Sequence, residues 1–345
     1  MAVMKATNIS TIEGTPGQTV PADSMRQFKL SLKCPSCGES LGAINYGTSL
    51  LLETGFRCAN CSFLLANHKG IWKALPLQRQ HYYEQFLMEY QIVRASEGRG
   101  SNKASVYLAL PYKDLTGRNQ WQWTIRSRTF RCIEDSILPN LERGRKYPLS
   151  FLDLGAGNGW LSYRLMRREH RPVAIDLLTN DTDGLGAACH YLQELPTLFP
   201  RFQADLDRLP FQDSQFDCAI FNASFHYSED YNRTLGEAIR CLRPGGSVIV
   251  ADSPFYRFER SGQQMVEDRR AQFAARFGFP SSSLASLEYL TMERLRALEA
   301  RFGIQWQVIR PKYGLRWTMR PLIARWKGKR EPSQFQIYVA AVEKQ

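Results

Sequence analysis

Two sets of residues carry chemistry by their types and spacing. Cys34-Pro35-Ser36-Cys37 and Cys58-Ala59-Asn60-Cys61 enclose twenty residues. Four thiolates in two Cys-x-x-Cys turns at this separation suit a tetrahedral zinc site, structural and closed to water. Redox use is the weaker alternative, because neither pair lies at a strand–helix junction. The second set is Phe151-Leu152-Asp153-Leu154-Gly155-Ala156-Gly157-Asn158-Gly159, an apolar run leading into a glycine loop that opens a helix. Glycines let a ligand approach the backbone, and the bare N–H groups of a helix start favour a carboxylate or phosphate. Taken alone, such a loop also fits dinucleotide enzymes. Three details point away from them. The spacing is Gly-x-Gly-x-Gly, not Gly-x-Gly-x-x-Gly. Asp153 stands two residues before Gly155, where it meets a ligand ammonium directly or through water. Asp176 ends the next apolar run, where a carboxylate accepts both hydroxyls of a ribose.

These residues need rigid elements to hold them. Alternation of apolar runs with helical patterns predicts strands over 149–154, 172–176, 201–204, 216–222, 247–252, 305–310 and 335–342. Helices are predicted over 160–169, 183–192, 231–242 and 287–302. Strand–helix alternation with continuous apolar strands argues an α/β fold built on a parallel, doubly wound sheet. Upstream, Tyr82, Tyr83, Phe86, Leu87, Tyr90 and Val93 recur at helical spacing, and core packing against the next domain is the plain reading. Residues 119–139 read as a helix ending at Pro139.

The ordered set resembles the SAM-dependent methyltransferases with a Rossmann-like fold, of the class I, type 11-like kind. Ala204-Asp205-Leu206-Asp207-Arg208-Leu209-Pro210-Phe211 is similar to the family stretch after the third strand. Gln215–Ile220 looks like its fourth strand, and Leu242-Arg243-Pro244-Gly245-Gly246 like the turn into its fifth. The resemblance covers about residues 120–342. It implies a mostly parallel seven-stranded sheet with an antiparallel last strand, and S-adenosylmethionine (SAM) as cofactor. It places Asp153, Gly155, Ala156, Gly157, Asn158, Gly159, Asp176, Leu177 and Asn222 at that cofactor. Asp205 would bind the adenine amino group and Leu206 would meet the ring through its backbone. A helix before the core often covers the methionine end in the family, so Arg126 would meet the methionine carboxylate; packing is the competing use. Lys69–Pro76 is similar to the end of zinc ribbons fused or bound to RNA and quinone-type methyltransferases.

Ligands of such sheets sit at the carboxyl ends of the strands, so segments leaving those ends shape the acceptor pocket. After the fourth strand comes Asn222-Ala223-Ser224-Phe225-His226-Tyr227. It is not the Asn/Asp-Pro-Pro-aromatic motif of amino-methylating enzymes, and it looks more like the loop of small-molecule and lipid methyltransferases. His226 is the candidate base for an acceptor hydroxyl; a hydrogen bond within its own loop is the alternative. Two acceptor-side insertions follow: 253–285, with a charged helix near 260–277, and 311–334. Residues 310–330 hold eight Lys/Arg and no acid, two thirds of the chain's net charge of +12. Met319, Leu322, Ile323 and Trp326 fall on one helical face there. Such a segment suits an anionic membrane surface, a nucleic-acid backbone, or a partly packed lid.

The implied organisation is a flexible tail (1–28), a zinc ribbon (29–76), a helical linker or cap (77–118) and the methyltransferase domain (119–345). With no apolar run of eighteen residues and no signal pattern, the chain reads as cytoplasmic, at most peripheral at a membrane. Eight cysteines in 345 residues do not make a disulfide scaffold. Cys132, Cys189, Cys218 and Cys241 read as packing residues. The leading function is methyl transfer to oxygen or carbon of a small-molecule or lipid-like acceptor. A zinc-ribbon ribosomal-RNA base methyltransferase and a silent SAM-binding scaffold are the alternatives. The oligomeric state is open.

Overall fold

The structure is a computed structural model that describes residues 28–46, 54–145 and 147–343. The tail expected over 1–28 lies, except for Phe28, outside the described residues. The chain's centre is the strand β6 (Ser150–Leu154), every residue of which is buried. Burying side chains such as Phe151, Leu152 and Leu154 supplies about 2 kcal/mol each. β6 pairs in parallel with β7 (Arg171–Asp176) on one side and β9 (Phe216–Asn222) on the other, so that Leu152 lies between Val173 and Ala219. β8 (Arg201–Gln203) and β10 (Leu242–Ala251) extend the sheet in parallel, and β12 (Ile337–Ala341) adds antiparallel beside β10. β11 (Gln307–Ile309) closes that edge. The order β11-β12-β10-β9-β6-β7-β8 reverses direction between β6 and β9. A doubly wound sheet binds its ligand in the crevice at that reversal.

Among the described residues the large sheet has ten strands, the expected seven extended by three. Within the described residues, β3 (Gly55–Arg57), β4 (Leu64–His68) and β5 (Ile71–Lys73) form an antiparallel unit, and β5 pairs in parallel with β8. Trp72 stacks on Phe202 across the junction, with ring centroids 6.2 Å apart. The hairpin of β1 (Lys29–Lys33) and β2 (Ser40–Asn45) leans on the same edge, where Lys33 N–H donates to Pro210 O at 3.1 Å and the Tyr46 hydroxyl to Pro172 O at 2.9 Å. The segment carrying the second cysteine pair therefore continues the large sheet, while β1 and β2 form a separate two-stranded sheet against it.

Several boundaries differ from the sequence reading for local reasons. Helix α1 spans Leu77–Ser96 and α2 Ala104–Ala109. Helix α3 (Gln120–Cys132) does not stop at Pro139. It widens into a π-turn over Ile133–Ile137 and continues as α4 (Leu138–Glu142), with Pro139 in the first turn of that last piece. A proline at a helix start lacks only an N–H that would be unpaired anyway. After α5 (Trp160–Arg167), the predicted helix over 183–192 is a 3₁₀ stretch, Leu185–Gln193. Helix α6 covers Tyr231–Cys241 and α7 Glu259–Phe277. The helix predicted from 287 begins only at Met292, because Thr291 caps it by accepting from Arg294 N–H; α8 is Met292–Phe302. The basic segment holds two short helices, α9 (Leu315–Thr318) and α10 (Arg320–Trp326). Among the described residues no helix is long and apolar enough to cross a membrane.

Candidate active site

The glycine loop turns the chain from β6 into α5 at the sheet's reversal point. Gly155 has φ +77°, and a Cβ there would lie 2.3 Å from Ser224 Cβ, so neither the backbone nor the space admits a side chain. The loop is closed on itself more than a bare helix start would be. Gly155 and Ala156 N–H groups both donate to Ile175 O at 2.9 Å, and Trp160 N–H donates to the Asn158 side chain at 3.2 Å. Gly157 N–H donates to Asp176 Oδ2 and Leu178 N–H to Asp176 Oδ1, each at 2.8 Å. Two backbone donors thus fix the Asp176 carboxylate at the end of β7, where it lines the crevice.

One cleft collects most of the predicted residues. Asp153, Gly155, Ala156, Gly157, Asn158, Asp176, Leu177, Asp205, Leu206, Asn222 and Arg126 all line it. Gly159 instead starts α5 behind the loop, in contact range of Phe199. His226 lies in a second, adjoining chamber. Asp153 is buried and accepts from Ser162 Oγ at 2.7 Å; burial pushes its carboxyl up to about 7. Asp205 is also buried and already has three donors. Arg79 Nε reaches Oδ2 at 2.7 Å, and the Tyr83 hydroxyl and Asp207 N–H reach Oδ1 at 3.1 and 3.0 Å. Arg126 stacks beside Trp123, 5.0 Å from its ring centre. Burial, with Arg99 and Arg94 nearby, lowers its guanidinium to about 10.

Helix α1 lies in the stretch read as a helical linker or cap, but its part in lining the site was not read from the sequence. Tyr83, Phe86 and Leu87 pack with Leu75, Leu177 and Leu284, as the spacing implied, and together with Tyr90 and Arg94 they also line the cleft. Arg94 clamps the far wall by a two-pronged bond to Asp183 at 2.5 and 2.8 Å. The helical spacing was visible; the arginines at positions 79 and 94, on either side of it, were the signal that one face meets carboxylates.

The second chamber opens beyond Asn222–Tyr227, between α1, α3, α7 and the basic segment, and shares Phe86, Tyr90, Arg94, Arg126, Ala223, Tyr227 and Leu284 with the first. Ala223 and Asp252, which follow β9 and β10, both have positive φ, +58° and +52°. Each left-handed residue costs about 1 kcal/mol, and such strain concentrates where a site dictates the backbone. His226 Nδ1 lies 3.3 Å from Ser253 Oγ. Burial, then the charges of Arg126 and Arg269, pull its pKa down to about 3, so the imidazole is neutral.

The cysteines form a separate cluster. The ligand atoms of Cys34, Cys37, Cys58 and Cys61 all lie within 4.8 Å of one another, with Cys34–Cys61 and Cys37–Cys58 sulfurs 3.6 and 3.4 Å apart. Both turns are built alike: Gly38 N–H donates to Cys34 O, and Ser62 N–H to Cys58 O. Cys218 and Cys241 are buried, Cys132 is half-buried and Cys189 exposed.

Residues 152–250 match a family model described as a methyltransferase domain. That stretch, 152–250, is a methyltransferase domain. Similar proteins include a malonyl-[acyl-carrier protein] O-methyltransferase of Halorhodospira halophila, 32% identical over 35% of this chain and 40% of that protein. A demethylmenaquinone methyltransferase of Thermus thermophilus is 36% identical over 32% of this chain and 49% of that one. The chain thus spans less than half the length of the curated relatives it matches. Among solved structures, a 1,6-didemethyltoxoflavin-N1-methyltransferase of Burkholderia thailandensis superposes with a TM-score of 0.44 at 17% identity, covering 78% of this chain and 92% of that one.

Proposed function

We propose that the protein transfers a methyl group from SAM to a small-molecule or lipid-like acceptor, at oxygen or carbon. The observation that carries the reading is the pair of joined chambers: one holds the family's cofactor residues, the other an aromatic and arginine wall, and they meet at Asn222–Tyr227. The cofactor residues fit SAM by their chemistry. Asp176, fixed by two backbone donors, takes the ribose hydroxyls. Asp153 takes the ammonium and Arg126 the methionine carboxylate. Asp205 keeps one lone pair for the adenine amino group, and Leu206 offers its backbone to the ring. When bound, SAM supplies an electrophilic methyl group on a sulfonium. The chain aligns the acceptor and keeps water out, the two contributions on which such a displacement depends.

His226 is proposed as the group that faces the acceptor proton. A neutral imidazole with so low a proton affinity takes a proton only from an already acidified hydroxyl, such as an enol or phenol held near Arg126. Zinc is proposed at Cys34, Cys37, Cys58 and Cys61: four sulfurs at these separations suit a tetrahedral ion with bonds of about 2.3 Å. With all four positions filled by the chain, the ion supplies stability and no chemistry. The lipid-like form of the acceptor is supported by the apolar face of the basic segment. Leu315, Met319, Leu322, Ile323 and Trp326 are all exposed there, Trp326 at 85%.

The test is methyl transfer from radiolabelled SAM into fractionated cell extract. Label is expected among small molecules or in the organic phase. Label in RNA instead would favour the ribosomal-RNA alternative, and label nowhere the silent scaffold. His226→Ala is expected to lower kcat with the SAM Kd unchanged; an unaltered kcat removes the base role.

A further inference from the structure

The second chamber holds more positive charge than its walls balance. Five arginines face it, Arg94, Arg99, Arg126, Arg269 and Arg320, against Glu97, Asp252 and Glu288. Three of the five are committed. Arg94 binds Asp183 at 2.5 Å, Arg99 binds Glu97 at 3.1 Å, and Arg269 binds Glu288 at 2.6 Å. Asp252 is a neighbour of Arg126 in charge, but its Oδ1 accepts from Thr129 at 2.6 Å and its Oδ2 has no hydrogen-bond partner. Among the described residues, Arg126 and Arg320 have neither a hydrogen bond nor an ion pair. Burial depresses both guanidiniums, so neither is simply solvated at the surface.

The rest of the wall is flat and apolar, with Phe86, Tyr90, Trp121, Phe273, Trp317 and Phe335 around the same space. Arg320 lies face-on to Trp317, 3.9 Å from the ring centre, which holds its fork in one plane. Arg126 borders both chambers and is shared with the cofactor side. Arg320 borders only the second.

We propose that this chamber selects an acceptor bearing an anionic group, a carboxylate or a phosphate, on a flat apolar body, and that Arg320 anchors the anion. The inference rests on the methyltransferase reading above and names its substrate class. A planar guanidinium gives such an anion two parallel charge-assisted bonds. The surrounding segment 310–330, with eight cations and no acid, draws anions toward that mouth.

Extract small molecules are separated on an anion exchanger and each fraction is assayed with radiolabelled SAM. Acceptor activity is expected in the retained fraction. Phosphatase treatment abolishes it if the anion is a phosphate monoester and leaves it if the anion is a carboxylate. Arg320→Gln is expected to raise the acceptor KM about tenfold or more with the SAM Kd unchanged, and Arg320→Lys to recover only part of that loss. In parallel, the SAM-loaded protein is titrated with 2-naphthoate and with neutral 2-naphthamide. Preferential naphthoate binding that Arg320→Gln removes is expected. Acceptor activity in the unretained fraction, or equal binding of the two probes, overturns the proposal. No methyl transfer from any fraction, alongside Arg320-dependent naphthoate binding, would instead reject the methyltransferase reading and leave the anion site standing.

Discussion

Arg79 donates its Nε to Asp205 Oδ2 at 2.7 Å, across 126 residues of sequence. The bond ties the first turn of α1, directly after the cysteine-bearing segment, to the loop that follows β8. Arg79 is about a quarter exposed and Asp205 is nearly buried. Removing the cation leaves the carboxylate with only the Tyr83 hydroxyl and one backbone N–H. For a fully buried pair that loss is about 3–5 kcal/mol; partial exposure reduces it to about 1–2 kcal/mol. Arg79→Met is therefore expected to lower Tm by several degrees and to speed hydrogen exchange within 77–96. Unchanged exchange there would show that the cap is held without this bond.

Asp153 predicts how cofactor binding depends on pH. Its carboxyl is pushed up to about 7 in the protein alone, from an ordinary value of 3.8. The folded state therefore holds a proton that the unfolded chain releases between about pH 4 and 7. This group favours folding fully below pH 4, and that contribution is lost as pH rises through 7. A ligand ammonium reverses the preference by stabilising the carboxylate. SAM binding should then release a proton below pH 7, and its affinity should fall about tenfold per pH unit there. Calorimetric titration in two buffers of different ionisation enthalpy measures that proton. Asp153→Asn is expected to flatten the slope; a slope that persists assigns it to another group.

What was legible in the sequence follows from how locally each feature is determined. The run Ser150–Leu154 is buried on both faces of a parallel strand, so continuous apolarity marks it directly. Gly155 is obligatory because Ser224 packs against its α-carbon, and a glycine loop is the sequence trace of such a contact. The four cysteines are marked by spacing alone. The helix over 77–96 was legible, but not that its face lines the cleft. Tyr83, Phe86 and Tyr90 at helical spacing signal one covered face, whether that face meets a core or a ligand crevice. Nor does local pattern reveal that Ile71–Lys73 pairs with Arg201–Gln203. Strand partnership between segments 130 residues apart depends on the register of the whole sheet.

The loop glycines separate sterics from conformation. A Cβ on Gly155 meets Ser224 Cβ at 2.3 Å, whereas one on Gly157 meets nothing nearer than Asp183 O at 3.8 Å. Both have positive φ, so each alanine costs about 1–2 kcal/mol of backbone strain. Gly155→Ala adds a clash against the Ser224 loop at the chamber junction and is expected to abolish SAM binding. Gly157→Ala is expected to lose only about 1–2 kcal/mol of stability and keep measurable binding. Equal effects of the two in melting and SAM titration would contradict the steric argument.

The basic segment presents an apolar stripe to solvent. Leu315, Met319, Leu322 and Trp326 follow one another at intervals of three or four residues, all exposed. Lys327 and Lys329 lie just beyond, with Arg316 and Arg325 between the stripe residues. Inserting Leu322 and Trp326 into an interface supplies about 1.5–3 kcal/mol each. The protein is expected to sediment with vesicles containing phosphatidylglycerol at low salt, and not with neutral ones. Leu322→Ser with Trp326→Ser should reduce that binding at least tenfold. Wild-type protein that stays in solution with anionic vesicles ends the membrane form of the lipid-like reading.

Metal removal should reach further than the cysteine cluster, because β5 is a strand of the large sheet. The cluster orders Cys34–Cys37 and Cys58–Cys61 from the two hairpins; β5 covers the edge of β8 through Trp72 opposite Phe202, and Leu32 bridges Phe211 beyond β8. Helix α1 begins four residues after β5, so the Arg79 and Tyr83 bonds to Asp205 depend on the same anchor. Purified protein is expected to contain one zinc per chain. A strong chelator, or Cys58→Ser, should expose the N–H and C=O groups of β8, and an uncovered edge strand promotes aggregation. SAM affinity should fall in the same titration that removes the metal. Loss of zinc with an unchanged melting curve and unchanged SAM binding would show that sheet pairing holds the ribbon without the ion.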